Sequence, residues 1–186
     1  VWTLDHGYQP IRWIGAKFVP NVLMQANPKL RPLRIRQGAI RSNVPSRDLV
    51  VSQQHRIFVK SAICERLSDT PEALVPAKQL LEMNGFDVAD DLESVTYYHF
   101  IFDKHEVVLA DGALTESFFP GPQALKALSA DAREELFTLF PELMNMSGTG
   151  AASAAGTAQP ARPILGNPAA RKLASRHLKN HQDLVN

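Results

Sequence analysis

Six histidines carry most of the chemistry this chain could perform, and three of them, His55, His99 and His105, lie in or beside segments that read as β-strands. An imidazole has an unperturbed pKa of ~6.5, so it can take or give a proton near neutral pH. In "DLVVSQQHRIFVKSAI", residues 48–63, Ser52 and His55 stand three residues apart between two apolar runs. Val50 and Val51 lead in; Ile57, Phe58, Val59 and Ile63 lead out. A hydroxyl and an imidazole interrupt a strand otherwise fit for a core. In "TYYHFIFDKHEVVLADGALTESF", residues 96–118, Phe100 and Phe102 fall on one strand face and His99 and Ile101 on the other. A turn at Asp103–Lys104 leads to a second strand, Glu106–Leu109, which ends at Asp111–Gly112. The pattern predicts a tight hairpin bracketed by two histidines and an aspartate.

The other histidines are plainer. His177 and His181 are spaced i,i+4 in "HLKNH", which lacks the glutamate of a zinc-protease helix and sits among basic residues. A solvated helix face is expected there, and His6, beside Gly7, reads as a turn residue. A zinc hydrolase would need His55, His99 and His105 to converge with a fourth position open. Nothing in the sequence shows that convergence, so no metal and no cofactor is expected.

The elements that must position these residues are mostly short strands. Val-, Ile-, Phe-, Tyr- and Trp-rich runs lie near 1–4, 11–19, 33–37, 48–51, 56–59, 95–102 and 105–110, separated by Pro, Gly and Asn turns. "VWTLDHGYQPIRWIG" reads as a hairpin turning at "DHGY", with its second strand around 11–14. A short helical turn is expected in "EALVPAKQLLEMNG". After "SFFPGP" the period changes: "SADAREELFTLFPEL" has Ser129 as an N-cap, acids in its first turn, and Leu136, Leu139 and Phe140 as an apolar stripe. "MSGTGAASAAGTAQPARP" has a linker's composition. In "NPAARKLASRHLKNHQDLV", Asn167 is the expected N-cap and Pro168 the first helical residue, with Leu173 and Leu178 on one side. That helix either docks back or stays loose. The resulting organisation is a β domain over 1–120, a helical extension over 121–145, a flexible linker over 146–161 and a C-terminal helix over 162–186.

Composition excludes several classes. At 186 residues with 45% hydrophobic and 21% charged residues, the chain suits a globular domain with a core of its own. No apolar run approaches the ~20 residues of a membrane helix. Cys64 is the single cysteine, so an intrachain disulfide and a cysteine zinc cluster are both ruled out. The net charge of +1 conceals an asymmetry: residues 1–60 carry +8, residues 61–160 carry −11 and residues 161–186 carry +4. Without interleaved aromatic and basic residues, mutual neutralisation within one domain is a better reading than a nucleic-acid surface. The strand pattern begins at Val1 without Met or a leader, as in a fragment or processed product.

Taken together, the two histidine segments resemble the Hint family, the Hedgehog–intein autoprocessing domains, in its bacterial form. "LVVSQQH" is similar to that family's T/S-x-x-H block, and "YHFIFDKHEVVLADG" to its C-terminal block. "DHGYQPIRWIG", "SQQHRIFV" and "HEVVLADGALTESFFPG" follow in the family's order across roughly 1–120, and "ARPILGNPAARKLASR" resembles the tail that often follows. The resemblance implies an all-β horseshoe of short twisted strands with a C-terminal helical extension. It also implies self-directed chemistry, in which an N-terminal Cys or Ser attacks the preceding peptide bond and another nucleophile or water resolves the ester.

By this resemblance His55 protonates the leaving amide nitrogen and Ser52 orients the carbonyl or the imidazole. His105 assists resolution. His99 occupies a position where many inteins carry Asp, and Asp103 is a candidate replacement carboxylate. The nucleophile belongs upstream of Val1, so residues 1–186 are expected not to cleave themselves; Cys64, downstream of the histidine block, reads as a buried structural thiol. The block runs on into "ALTESF" rather than ending in His-Asn, which favours single-bond cleavage over splicing. The implied partner is the chain's own upstream polypeptide in cis, with no nucleic acid and no membrane span, in an exported or cell-surface bacterial protein. The alternative keeps the fold without the activity: a β-rich interaction module in which His55 is a core histidine.

Overall fold

The computed structural model describes residues 1–121, 124–125, 128–140, 143 and 159–186. Its strands form three antiparallel sheets. The largest contains β1 (Trp2–Thr3), β2 (Gly7–Tyr8), β6 (Arg56–Lys60), β7 (Glu72–Pro76), β10 (Val107–Ala110) and β11 (Ala113–Glu116), in the order β2-β1-β10-β11-β6-β7. A ribbon pairs β3 (Trp13–Pro20) with β9 (Ser94–Ile101) along all eight residues of each. Between β4 (Leu33–Ile35), β5 (Leu49–Val51) and β8 (Phe86–Val88) lies a third, three-stranded sheet centred on β4. The fold is all-β up to residue 116 apart from short helices, and helical at its C-terminal end.

Helices α1 (Asn21–Ala26), α2 (Ala62–Ser68), α3 (Ala130–Leu139) and α4 (Asn167–Asn180) pack against these sheets. The main core joins Leu33, Ile35, Ile57, Val59, Val75 and Phe86 of the sheets to Leu173, Ala174 and Leu184 of the C-terminal region. The C-terminal helix therefore docks. A second core gathers Trp13 and Ile101 at the start of the ribbon with Leu136 and Phe140 of α3. Ser129 caps α3 as expected, its Oγ accepting from the Ala132 N–H at 3.2 Å, while Leu139 of the expected stripe is 52% exposed.

Several expectations fail where pairing is non-local. The N-terminal hairpin is tighter than expected, because Gly7–Tyr8 is the return strand and Trp13 opens the ribbon instead. Segment 96–109 is no hairpin: β9 leaves to pair with β3, whereas β10 pairs with β1 and β11. The true hairpin is β10–β11, closed by Asp111 and Gly112 at φ 49° and 83°, a two-residue turn in which both φ values are positive. "EALVP" is strand β7 because β6 pairs with it throughout, and only Ala77–Gln79 keep a helical turn. Helix α2 replaces the strand continuation through Ile63, since Ser61 Oγ accepts from the Cys64 N–H at 3.0 Å and starts a helix there. At α4 the cap is Gly166; Asn167 lies inside the helix and its side chain accepts from Gln79 Nε2 at 3.2 Å. Most of the linker, residues 146–158, lies outside the described residues.

The charge asymmetry resolves into cross-links. Arg31, Arg34, Arg36 and Arg47 of the basic third pair with Asp90, Asp91, Asp87 and Asp111 of the acidic middle. Among the described residues no helix is long and apolar enough to cross a membrane.

Candidate functional site

The interruption between β5 and β6 is a β-turn. The His55 N–H donates to the Ser52 carbonyl at 3.1 Å, so the three-residue spacing delivers both side chains to one side of the chain reversal. The turn is held from outside as well. Ala77 and Lys78 donate their N–H groups to the His55 and Gln53 carbonyls at 2.8 and 3.1 Å, and Gln53 Nε2 donates to the Pro28 carbonyl at 2.8 Å. β5 belongs to the three-stranded sheet and β6 to the six-stranded one, so the turn sits where two sheets part.

A cavity of about 570 Å³ opens at this parting, and Ser52, His55, His99 and Glu116 all line it. His99 comes from the ribbon, opposite Gly15 of β3. The Trp13 indole lies across Gly15, where a Cβ would collide with its ring. The His99 ring packs against Phe118 with centroids 4.8 Å apart. Burial, then the nearby charges of His55 and Lys17, push the His99 pKa down to about 4, so the ring is neutral at physiological pH. Tyr97, two residues back on β9, donates its hydroxyl to the Leu30 carbonyl at 2.8 Å, and burial pushes its pKa up to about 12.

On the opposite wall the β11–β6 register, Thr115 with Ile57, sets Glu116 across from Arg56. Glu116 accepts from the Arg56 N–H at 2.9 Å and from Arg56 Nη1 at 2.7 Å. Burial alone would raise the Glu116 pKa; His105, His55 and Arg56 together outweigh it and hold the carboxyl below its usual value. His55 is shifted down, chiefly by desolvation, with Glu116 pulling the other way and Arg56 and His105 reinforcing the drop. At neutral pH the site thus presents a neutral imidazole beside a paired carboxylate.

Two of the expected residues stand elsewhere. His105 is buried behind Glu116, its Nε2 3.4 Å from Glu116 Oε2 and 3.2 Å from the Ser117 carbonyl oxygen, and it does not line the cavity. Asp103 is 65% exposed, lies 3.5 Å from Arg12 and is not on the cavity wall. Sequence reasoning missed Glu116 and Arg56. The available signal was an acid closing the strand "ALTE", otherwise apolar but for a threonine.

Of the remaining histidines, His181 is exposed and His6 lies in its turn as expected, whereas His177 differs. His177 is fully buried rather than solvated, with Nε2 3.0 Å from Ser61 Oγ and Nδ1 3.1 Å from the Gln182 carbonyl, so it pins α4 to the start of α2. His6 keeps its turn position but places Nδ1 2.9 Å from the buried Glu106. Among the described residues no group of three or more His, Cys, Asp or Glu side chains is arranged to hold a metal. Cys64 is fully buried, hydrogen-bonded near Ser68, and burial raises its thiol pKa.

Searches of curated proteins and of solved structures give no match to the chain. A family model described as "Hint domain" does match, over residues 1–122. Those residues comprise all three sheets, the Ser52–His55 turn, both cavity walls and the Glu116–Arg56 pair. Since the match covers about two thirds of the sequence, the chain belongs to the Hint domain family.

Proposed function

We propose that residues 1–121 form the catalytic body of a self-cleaving domain that acts on a peptide bond upstream in its own polypeptide. The carrying observation is that Ser52, His55 and His99, drawn from two separate sequence blocks, open on one cavity backed by an ionised, paired glutamate. In the first step an upstream Cys or Ser attacks the carbonyl carbon of the peptide bond before it. A C–S or C–O bond forms, the C–N bond breaks, and the nitrogen leaves as an amine. The nucleophile's proton must reach that nitrogen. His55, kept neutral by desolvation, accepts it and hands it on. Water then attacks the ester or thioester, releasing a carboxylate and restoring the thiol or hydroxyl.

Ser52 contributes a hydroxyl at the carbonyl or the imidazole. His99, neutral above its pKa of about 4, serves as a hydrogen-bonding group rather than an acid. Asp103 takes no part. Cys64 is not the nucleophile, because it sits on the buried face of α2 and away from the cavity. The partner is the upstream segment in cis, and export or cell-surface display of the parent protein is proposed on the family resemblance alone.

The test is the longer precursor, with a Cys- or Ser-led segment ahead of these residues, run on a denaturing gel with and without His55→Ala. The wild type should yield a fragment pair, and His55→Ala should slow its appearance by ~10²–10⁴-fold. Wild-type cleavage should also persist as pH falls through ~6.5, where an unshifted histidine would be half protonated, and decline only lower. A wild type that stays intact with added thiol ends this reading.

A further inference from the structure

The buried histidine of the site is bonded on its far side by a segment beyond the family-matched residues. The Ala161 N–H donates to His105 Nδ1 at 3.0 Å, so that nitrogen carries no proton and the ring hydrogen sits on Nε2. Nε2 faces two acceptors, the Ser117 carbonyl oxygen and Glu116 Oε2. The side chain is fully buried, which leaves little room for water to stand in for any of these partners. On its ring face His105 meets Phe119, centroids 4.9 Å apart.

Ala161 is held in place independently of His105. Next to it, Arg162 donates Nη1 and Nη2 to Asp5 at 2.9 and 2.7 Å and Nε to Glu72 at 2.6 Å. Its guanidinium also sits over the Phe58 ring. Beyond it, Leu74 donates its N–H to the Pro163 carbonyl at 2.9 Å and accepts from the Leu165 N–H at 3.1 Å. Residues 161–165 thus run alongside β7, the edge strand of the large sheet, and meet it at the Leu74–Ile164 bridge.

We infer that residues 161–165 are a strap belonging to the site, in which the Ala161 N–H is a positioning group that fixes His105 as a donor toward Glu116. Were the proton on Nδ1, it would meet the Ala161 donor, and the bare Nε2 would meet two acceptors; both faces would be mismatched. With Nε2–H, each contact pairs a donor with an acceptor, and Glu116 keeps a partner that steadies its charge beside His55. The catalytic consequence rests on the self-cleavage reading, whereas the tautomer does not. Docking of the tail and competence of the cavity become one event, since pulling the strap off β7 frees His105 to exchange tautomers.

The tautomer can be read on this chain by long-range ¹H–¹⁵N correlation of labelled histidine. Wild type should show a bare Nδ1 and a protonated Nε2 at His105. Ala161→Pro, which lacks the N–H, leaves only the two Nε2 acceptors to hold the tautomer and should raise the Nδ1-protonated form to a measurable minority, and Ala161→Gly, which keeps the N–H, should restore the wild-type pattern. A protonated Nδ1 in wild type overturns the proposal, as does an unchanged tautomer in folded Ala161→Pro. Should Ala161→Pro fail to fold by circular dichroism, Arg162→Ala loosens the strap without touching its backbone, and the same shift toward Nδ1–H is required of it. In the precursor, Ala161→Pro should slow cleavage on the order of 10- to 100-fold and move its pH profile, the scale of losing an orienting partner. Wild-type speed there overturns the strap's role and leaves self-cleavage standing. A wild-type precursor that never cleaves instead removes the self-cleavage reading and the strap's catalytic role with it, whatever the tautomer.

Discussion

The two walls of the cavity govern their titratable groups by opposite means. On the large-sheet wall, Glu116 is buried but accepts two bonds from Arg56 and has His105 behind it, and these partners overcome desolvation to keep the carboxyl ionised. On the ribbon wall, His99 has Phe118 for a neighbour and, among the described residues, no comparable partner, and burial drives its ring to neutrality with a pKa of about 4. One wall stabilises a charge and the other excludes one. His55 lies between them, pulled up by Glu116 and more strongly down by burial.

That contrast predicts unequal responses to substitution. The largest belongs to the charged wall. Glu116→Ala removes the acceptor of the Arg56 N–H and guanidinium, while the buried Arg56 Nε already lacks a partner among the described residues. Uncompensated charge in such a place costs about 3 kcal/mol, measurable as a lower midpoint in urea unfolding. Glu116→Gln keeps an acceptor for the backbone N–H and should lose less. If the two variants unfold together, the retained acceptor contributes nothing and the whole loss is that of the charge.

A smaller loss is expected from Gly15→Ala on the ribbon wall. The new Cβ meets the Trp13 indole, which is 4% exposed and donates to Glu135 Oε2 at 3.2 Å, so the ring cannot move freely away. Overpacking of this kind costs about 1–3 kcal/mol. The accompanying structural signature is a shift in Trp13 fluorescence. Unchanged emission and stability together would mean that the ribbon does not depend on that stacking.

The walls also differ in how far residue order alone reveals them. The interruption at Ser52–His55 is legible in the residue order as a break in a strand, although its being a turn is not; the closing hydrogen bond spans only three residues. The Ser129 cap and the Asp111–Gly112 turn are local for the same reason. Glu116 showed only as an acid closing a strand, and its role was hidden because its partner arrives only when β11 pairs with β6, sixty residues earlier in the chain. The expected hairpin over 96–109 failed similarly: His99 and His105 are six residues apart but enter different sheets. His177 looked solvated within its own helix, and only the docking of α4 onto Ser61 explains its burial. Local spacing reveals turns and caps, whereas buried polar pairs depend on contacts that appear only once the sheets have closed.

The smallest effect on stability, and the most informative about the contrast, is expected for His99→Phe. The ring it replaces is already neutral and already packed on an aromatic face, so a phenyl group at that position should change unfolding free energy by less than about 1 kcal/mol at pH 7. The sign at lower pH follows from linkage. Folding lowers the His99 pKa from ~6.5 to about 4, so its contribution to stability is complete above ~6.5 and is lost as pH falls toward 4, because the unfolded chain takes up the proton first. His99→Phe deletes that loss and should flatten the acid side of the stability curve between those limits. Glu116→Gln, on the other wall, should act lower, in the range where carboxylates protonate, because the pKa that folding depresses there is a carboxyl's. Two acid transitions separated in this way would show that burial and pairing act on different walls; a single shared transition would show that both walls titrate as one coupled unit through His55.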